Sequence, residues 1–211
     1  GSHTGKVSDL AYHNSLMVQV WSMLAARNTV LARRALSALP ATPSTGTSIT
    51  YVRCHDDIGW AITEADAASV GWSSLSHRDF LLQFYAGQFP GSFAKGAVFQ
   101  YNPETGDGRT SGSAASLCGI ERALADHDDV HLELACARLE LLYAVTYAYG
   151  GIPLLYMGDE LGLCNDTTYL GDAAKADDNR WLHRPRMDWA LAERRHQPGT
   201  LQARLFAMFA A

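Results

Sequence analysis

The stretch that most restricts this chain is Gly151-Ile152-Pro153-Leu154-Leu155-Tyr156-Met157-Gly158-Asp159-Glu160, a short apolar run held between glycines and ending in two carboxylates. A run this short, with no polar residue alternating through it, predicts a strand buried on both faces, as in parallel sheets. The segment before it, 129–149, carries Leu134, Arg138, Leu142, Val145 and Tyr149 about one turn apart and stops at Gly150-Gly151, which predicts a helix. Upstream, Ser48-Ile49-Thr50-Tyr51-Val52 has the β-branched and aromatic composition of a second strand. That strand also feeds polar residues, Arg53-Cys54-His55-Asp56-Asp57. Strands alternating with helices predict an α/β fold with a parallel sheet or barrel. In such folds ligands collect at the carboxyl ends of the strands.

The rest of the chain is organised around these strands. Residues 10–39 show apolar positions at helical spacing, with Leu16, Val20, Met23 and Leu24 on one stripe and Leu31, Ala35, Leu36 and Leu39 on the next, so a helix pair or one broken helix is expected. Residues 58–128 mix short helical pieces with Gly- and aromatic-rich stretches and read as an inserted subdomain or long lid. One of its helices is expected to open at Ser76-His77-Arg78-Asp79 as a capping box. Gly1-Ser2-His3 reads as a tag remnant, which leaves 4–211 as one domain.

Composition narrows the function classes. Seventeen Lys+Arg against 22 Asp+Glu give a net charge of -5 with no basic run, which argues against a nucleic-acid surface. No apolar run approaches the roughly 20 residues of a bilayer span and no leader opens the chain, so a soluble protein without a membrane partner is expected. Cys54, Cys118, Cys136 and Cys164 lack metal-ligand spacing and read as reduced thiols of a cytoplasmic protein. No oxygen-rich loop calls for calcium, so neither metal nor cofactor is expected.

Three segments carry candidate chemistry. His55-Asp56-Asp57 sets an imidazole and two carboxylates at a strand end, a set that binds polyols and stabilises a developing cation; in isolation it reads equally as a loop-capping Asp and a surface His. Successive strand residues point to opposite faces, so Asp56 and Asp57 cannot easily flank one bond at the ~5 to 5.5 Å of a retaining glycosidase pair. One would face the ligand and the other would lie to its side. Tyr101-Asn102-Pro103-Glu104-Thr105-Gly106-Asp107-Gly108-Arg109 is a turn-rich loop ending in a guanidinium able to clasp hydroxyls. The segment 175–186 is dense in opposite charges, which ordinarily means a solvated ion-pair network.

Taken in order, several segments together resemble the amylosucrases of glycoside hydrolase family 13, the α-amylase superfamily: Tyr51-Val52-Arg53-Cys54-His55-Asp56-Asp57-Ile58-Gly59-Trp60, Gly91-Ser92-Phe93-Ala94, Phe99-Gln100-Tyr101-Asn102-Pro103, Thr105-Gly106-Asp107, Gly151 to Glu160, and Arg180-Trp181-Leu182-His183-Arg184-Pro185-Arg186. The resemblance runs from about Leu10 to about Arg194, and sucrose hydrolases share most of it. It implies a partial (β/α)8 TIM barrel, with His55-Asp56 ending strand seven, Ile152 to Met157 forming strand eight and the insertion lying over the pocket. It also implies a retaining enzyme that transfers glucosyl from sucrose to an α-glucan or maltooligosaccharide and releases fructose.

By motif, Asp56 corresponds to the carboxylate that stabilises the transition state, His55 to its companion on the same ring, and Asp57 to a contact in the neighbouring subsite. Arg78 and Arg109 correspond to acceptor-side arginines, and Arg180 to the arginine whose ion pair with an upstream aspartate closes the glucosyl pocket. The family's nucleophile and acid/base belong to earlier strands and have no counterpart here, so the chain reads as a fragment, inactive alone. Cys54 stands where Ser is expected. With two barrel strands, such a fragment is expected to be oligomeric or domain-swapped. Sucrose hydrolysis and non-catalytic carbohydrate binding are the competing functions.

Overall fold

A computed structural model describes residues 8–210, so Gly1-Ser2-His3 lies outside the described residues. The chain opens with strand β1 (Leu10–Tyr12), followed by helices α1 (Asn14–Ala26) and α2 (Val30–Ser37), and then β2 (Thr47–Tyr51). Next come β3 (Ile58–Gly59), α3 (Glu64–Ser69), α4 (Ser74–Tyr85), β4 (Ala97–Asn102), β5 (Asp107–Ser111), α5 (Ala114–Cys118) and α6 (Ile120–Asp126). The long helix α7 (Asp129–Ala148), strand β6 (Ile152–Leu154), α8 (Trp189–Glu193) and α9 (Leu201–Ala210) complete it. This is a mixed α/β fold. No helix among the described residues is long and apolar enough to cross a membrane.

Two three-stranded sheets organise the chain. In the first, β1, β2 and β6 run parallel, with Ile49 opposite both Tyr12 and Ile152. The second is antiparallel, in the order β3, β5, β4, and lies within 58–128. One apolar core joins both: Leu16, Trp21, Leu31, Ile58, Leu81, Tyr85, Leu117, Ile120 and Leu139 are all closed to solvent. Trp21 donates Nε1-H to the Val52 carbonyl at 2.9 Å, and Tyr85 donates its hydroxyl to the Trp21 carbonyl at 2.6 Å, which fastens α1 to β2 and to α4. Paired buried polar groups of this kind lose little on leaving water.

Four expectations need correction. A third parallel strand, β1, precedes α1; at three residues it is too short to show a period of two. The apolar run at 152–157 is strand only to Leu154, and Ile152 and Met157 are exposed, because β6 pairs with β2 alone among the described residues. On α7 the buried stripe is Ala135, Leu139, Leu142, Tyr143 and Thr146, while Leu134 and Tyr149 face solvent; small and polar residues sit inside because α1 and α5 pack close. α4 starts one turn before the expected capping box, with the Ser73 hydroxyl accepting the Ser76 amide at 3.3 Å.

Gly96 sits where α4, β5 and α5 converge. A Cβ there would lie 2.6 Å from the Tyr85 carbonyl oxygen, 2.7 Å from Leu117 Cδ2 and 2.8 Å from the Ser111 carbonyl oxygen. Two of those neighbours are main chain and cannot swing away. Gly96→Ala is expected to cost about 2–3 kcal/mol of stability, read as a lower urea midpoint at unchanged slope.

Candidate functional site

A cavity of about 650 Å³ opens beside the carboxyl ends of β1 and β2. The strand ends contribute Tyr12, Asn14, Tyr51, Asp56 and Asp57. β2 stops at Tyr51, and the chain beyond it bends instead of continuing the pleat. Both residues line the cavity, Asp56 with an open side chain and Asp57 with a closed one paired to Arg109. The insertion supplies the opposite wall: Arg78 from α4, Gln100 from β4, and Asp107 and Arg109 from β5. A 3-10 turn, Asn179–His183, brings Arg180 to the rim.

Each cavity carboxylate meets a guanidinium. Asp57 Oδ2 lies 3.2 Å from Arg109 Nη1, and Asp107 Oδ1 lies 3.1 Å from Arg78 Nη2. Asp56 is more open: Oδ2 is 3.5 Å from His55 Nε2, while Oδ1 lies 3.8 Å from Arg180 Nη1 and 3.7 Å from Arg184 Nη2. Its side chain is 54% exposed, so these contacts leave room for a ligand. The fork of Arg180 is taken by Asp178, through Nε and Nη2 at 2.8 Å each. His55 stands behind Asp56 and does not line the cavity itself. Thus the structure gathers Asp56, Asp57, Arg78, Arg109 and Arg180 around one space, with His55 adjoining.

Residues passed over in the sequence hold this site in place. His183 is buried within a segment expected to be a solvated network. Its Nδ1 accepts the Gly112 amide at 3.2 Å, which leaves Nε2 to donate to the His55 carbonyl at 3.2 Å. Burial and the nearby Arg53 push the imidazole pKa down to about 2, so the ring is neutral in that tautomer at ordinary pH. Arg184 Nε adds a 2.7 Å bond to the same carbonyl, and Arg53 Nε donates to the Gly112 carbonyl at 3.1 Å. The loop bearing Asp56 is therefore pinned from the 179–184 segment. A histidine following Trp-Leu in a charged segment was the available signal.

Two further features were not foreseen. Gln100 has φ of 49° at an irregularity in the pairing of β4 with β5, a left-handed conformation rare for a non-glycine residue, and its side chain joins the cavity wall. Three aromatic residues, Tyr12, Tyr51 and Trp60, also line the cavity. Tyr12 and Tyr51 meet edge to face at 5.3 Å, and Trp60, which donates Nε1-H to Thr110 Oγ1 at 3.1 Å, stacks on Tyr85 at 5.5 Å. Cys54, His55 and Asp56 bring three ligand-type atoms within 4.8 Å of one another, yet burial raises the thiol pKa and so works against a thiolate ligand.

The arrangement defines a class: an α/β protein whose polar, arginine-rich cavity lies at the carboxyl ends of parallel strands. No family model matches the chain. Among solved structures it is similar to sucrose 6F-phosphate phosphorylase from Thermoanaerobacter thermosaccharolyticum, with a TM-score of 0.60 and 17% sequence identity over 94% of this chain and 35% of that one. The two share a fold over that length. This chain spans 35% of that enzyme.

Proposed function

We propose that this chain is part of the catalytic barrel of a family 13, sucrose-active, α-retaining glucosyltransferase of the amylosucrase kind. The observation that carries the reading is the convergence of Asp56, Asp57, Arg78, Arg109 and Arg180 on one cavity at the strand ends. They come from β2's end, α4, β5 and the 179–183 turn, and were picked out by motif alone. Likeness in fold to part of an enzyme named for a sucrose phosphate agrees with it. In this reading, Asp56 accepts hydrogen bonds from glucosyl hydroxyls and stabilises the oxocarbenium-like transition state, while Arg78 and Arg109 face fructose or the acceptor glucan. Transfer is favoured over sucrose hydrolysis by those two guanidiniums on the acceptor wall. Analysis of the sugars formed from sucrose by the catalytically complete enzyme separates glucan synthesis from release of glucose.

The chain's own chemistry is sugar binding without turnover. All three carboxylates of the cavity face guanidiniums, an arrangement for holding charge rather than for handing a proton to a leaving fructosyl oxygen. Calorimetric titration with sucrose and maltotriose is expected to show weak saturable binding, weakened by Arg109→Gln about fivefold. Glucose release from sucrose by the pure chain, or the absence of binding, would sink this reading.

The open sheet supports self-association. β1 and β6 each have one strand neighbour among the described residues, and Leu10, Tyr12, Ile152 and Met157 are exposed near these edges. Light scattering on the isolated chain is expected to return more than one copy per particle, through an oligomer or a domain swap. A compact monomer at all concentrations would count against it.

A further inference from the structure

A second polar cavity, of about 410 Å³, lies between the end of α1, the 91–93 turn, α6 and the first half of α7, and shares no lining residue with the sugar cavity. Three arginines line it: Arg27, Arg122 and Arg138. In a chain of net charge -5 such a grouping calls for an explanation. Ion pairs with carboxylates do not supply one. Arg122 Nη1 donates to the Ser92 carbonyl at 2.6 Å, and Arg138 Nη1 donates to the Cys118 carbonyl at 3.1 Å; neither guanidinium has a carboxylate within ion-pair distance among the described residues. Arg27, exposed and in the left-handed conformation that ends α1, has no such partner either.

The site is built rather than incidental. Arg138 lies over the Phe93 ring at 3.8 Å, which orients the plane of its fork. Gly119, in the cavity wall, lies close to the same group: a Cβ there would stand 3.2 Å from the Phe93 carbonyl oxygen and 3.4 Å from Arg138 Nη1. Burial lowers the Arg138 pKa, and repulsion from Arg27 adds to the fall against the opposing pull of Cys118. The two acidic residues in the wall do not neutralise the group. Asp128 is committed to capping α7, accepting the His131 amide at 2.9 Å and facing His131 Nδ1 at 2.7 Å, and Asp126 is exposed.

We propose that this cavity binds a phosphate-type oxyanion, either free phosphate or the phosphate of an ester, through Arg27, Arg122 and Arg138. Each guanidinium keeps donors beyond those bound to carbonyls, and phosphate oxygens match that fork geometry. An anion here would also relieve the Arg27–Arg138 repulsion and tie the end of α1 to α7. The proposal is independent of the sugar-site reading, with which it shares no residue.

The test is titration of the 211-residue chain with inorganic phosphate and, separately, methyl phosphate at low ionic strength, followed by calorimetry and amide shifts. Expected are saturable binding and shifts at Gly91, Phe93 and Gly119. Arg27→Gln, at an exposed position that leaves the two carbonyl-bound arginines intact, is expected to weaken binding roughly tenfold, and Arg27→Glu to abolish it. Arg109→Gln, in the sugar cavity, should leave phosphate affinity unchanged. Equal affinity for both probes would identify the phosphate group as what is recognised; a preference for methyl phosphate would assign the site to esters. No saturable binding, binding unmoved by Arg27→Glu, or binding lost in Arg109→Gln would overturn the proposal.

Discussion

Asp56→Asn, made in a sucrose-cleaving polypeptide that contains these residues, is expected to lower kcat/KM for sucrose by about 10²–10³-fold while leaving the thermal midpoint nearly unchanged. Asp56 sits half in solvent at the cavity wall, and its charge is shared among His55, Arg180 and Arg184 at 3.5, 3.8 and 3.7 Å. Ion pairs this long and exposed contribute little to stability, so their loss is barely felt by the fold. Under the proposed function, the carboxylate's value would lie with a cation formed beside it during glycosyl transfer, in a cavity where ordered groups replace reorganising water. An amide of the same shape still accepts from a hydroxyl at Oδ1, turns the other oxygen into a donor and loses the charge. Loss should therefore fall on kcat more than on KM, and a kcat equal to that of the unchanged enzyme removes Asp56 from the chemistry.

The sequence reveals this site more fully than it reveals the strands beneath it. Ser48 to Val52 and the helix over 129–149 carry strong local signals, and both form within a residue or two of the expected bounds. β1 gives no such signal, since Leu10-Ala11-Tyr12 runs straight into a helical pattern and becomes a strand only by pairing with Thr47, Ser48 and Ile49. The apolar stripe of α7 misleads for a related reason: which face is buried depends on where α1 and α5 pack, and a helix apolar on several sides does not announce it. Of the residues named by motif, Asp56, Asp57, Arg78, Arg109 and Arg180 line one cavity although four elements deliver them, and His55 adjoins it. His183 escaped notice since charged neighbours on both sides concealed a ring that the fold buries between Gly112 and His55.

That ring and one buried carboxylate make opposing contributions to the pH dependence of stability. His183 has a folded pKa of about 2, held down first by burial and then by Arg53, with the His55 carbonyl and Asp178 opposing and Arg184 adding to the depression. The unfolded chain takes up its proton near the ordinary value of about 6.5, so between these values the unfolded state binds more protons and stability rises with pH. Asp159 does the reverse. Burial lifts its carboxyl to about 7 against the opposing pull of the Tyr143 hydroxyl, Arg53 and the Ala114 amide, and Glu160 adds to the rise. The folded state then holds a proton that the unfolded state has shed above about pH 4, and stability falls as pH rises toward 7. From about pH 4 to 6.5 the two slopes oppose each other, so the contributions of these two groups nearly cancel in the wild-type chain. Asp159→Asn removes one of them: its stability is expected to climb by about 3 kcal/mol from pH 4 to 6.5, making the variant selectively acid-labile. His183→Gln, whose amide can still bridge Gly112 and His55, is expected to slope the other way by a similar amount. Urea melts of the three proteins across this range decide the matter, and parallel profiles would mean that neither buried group titrates as its surroundings dictate.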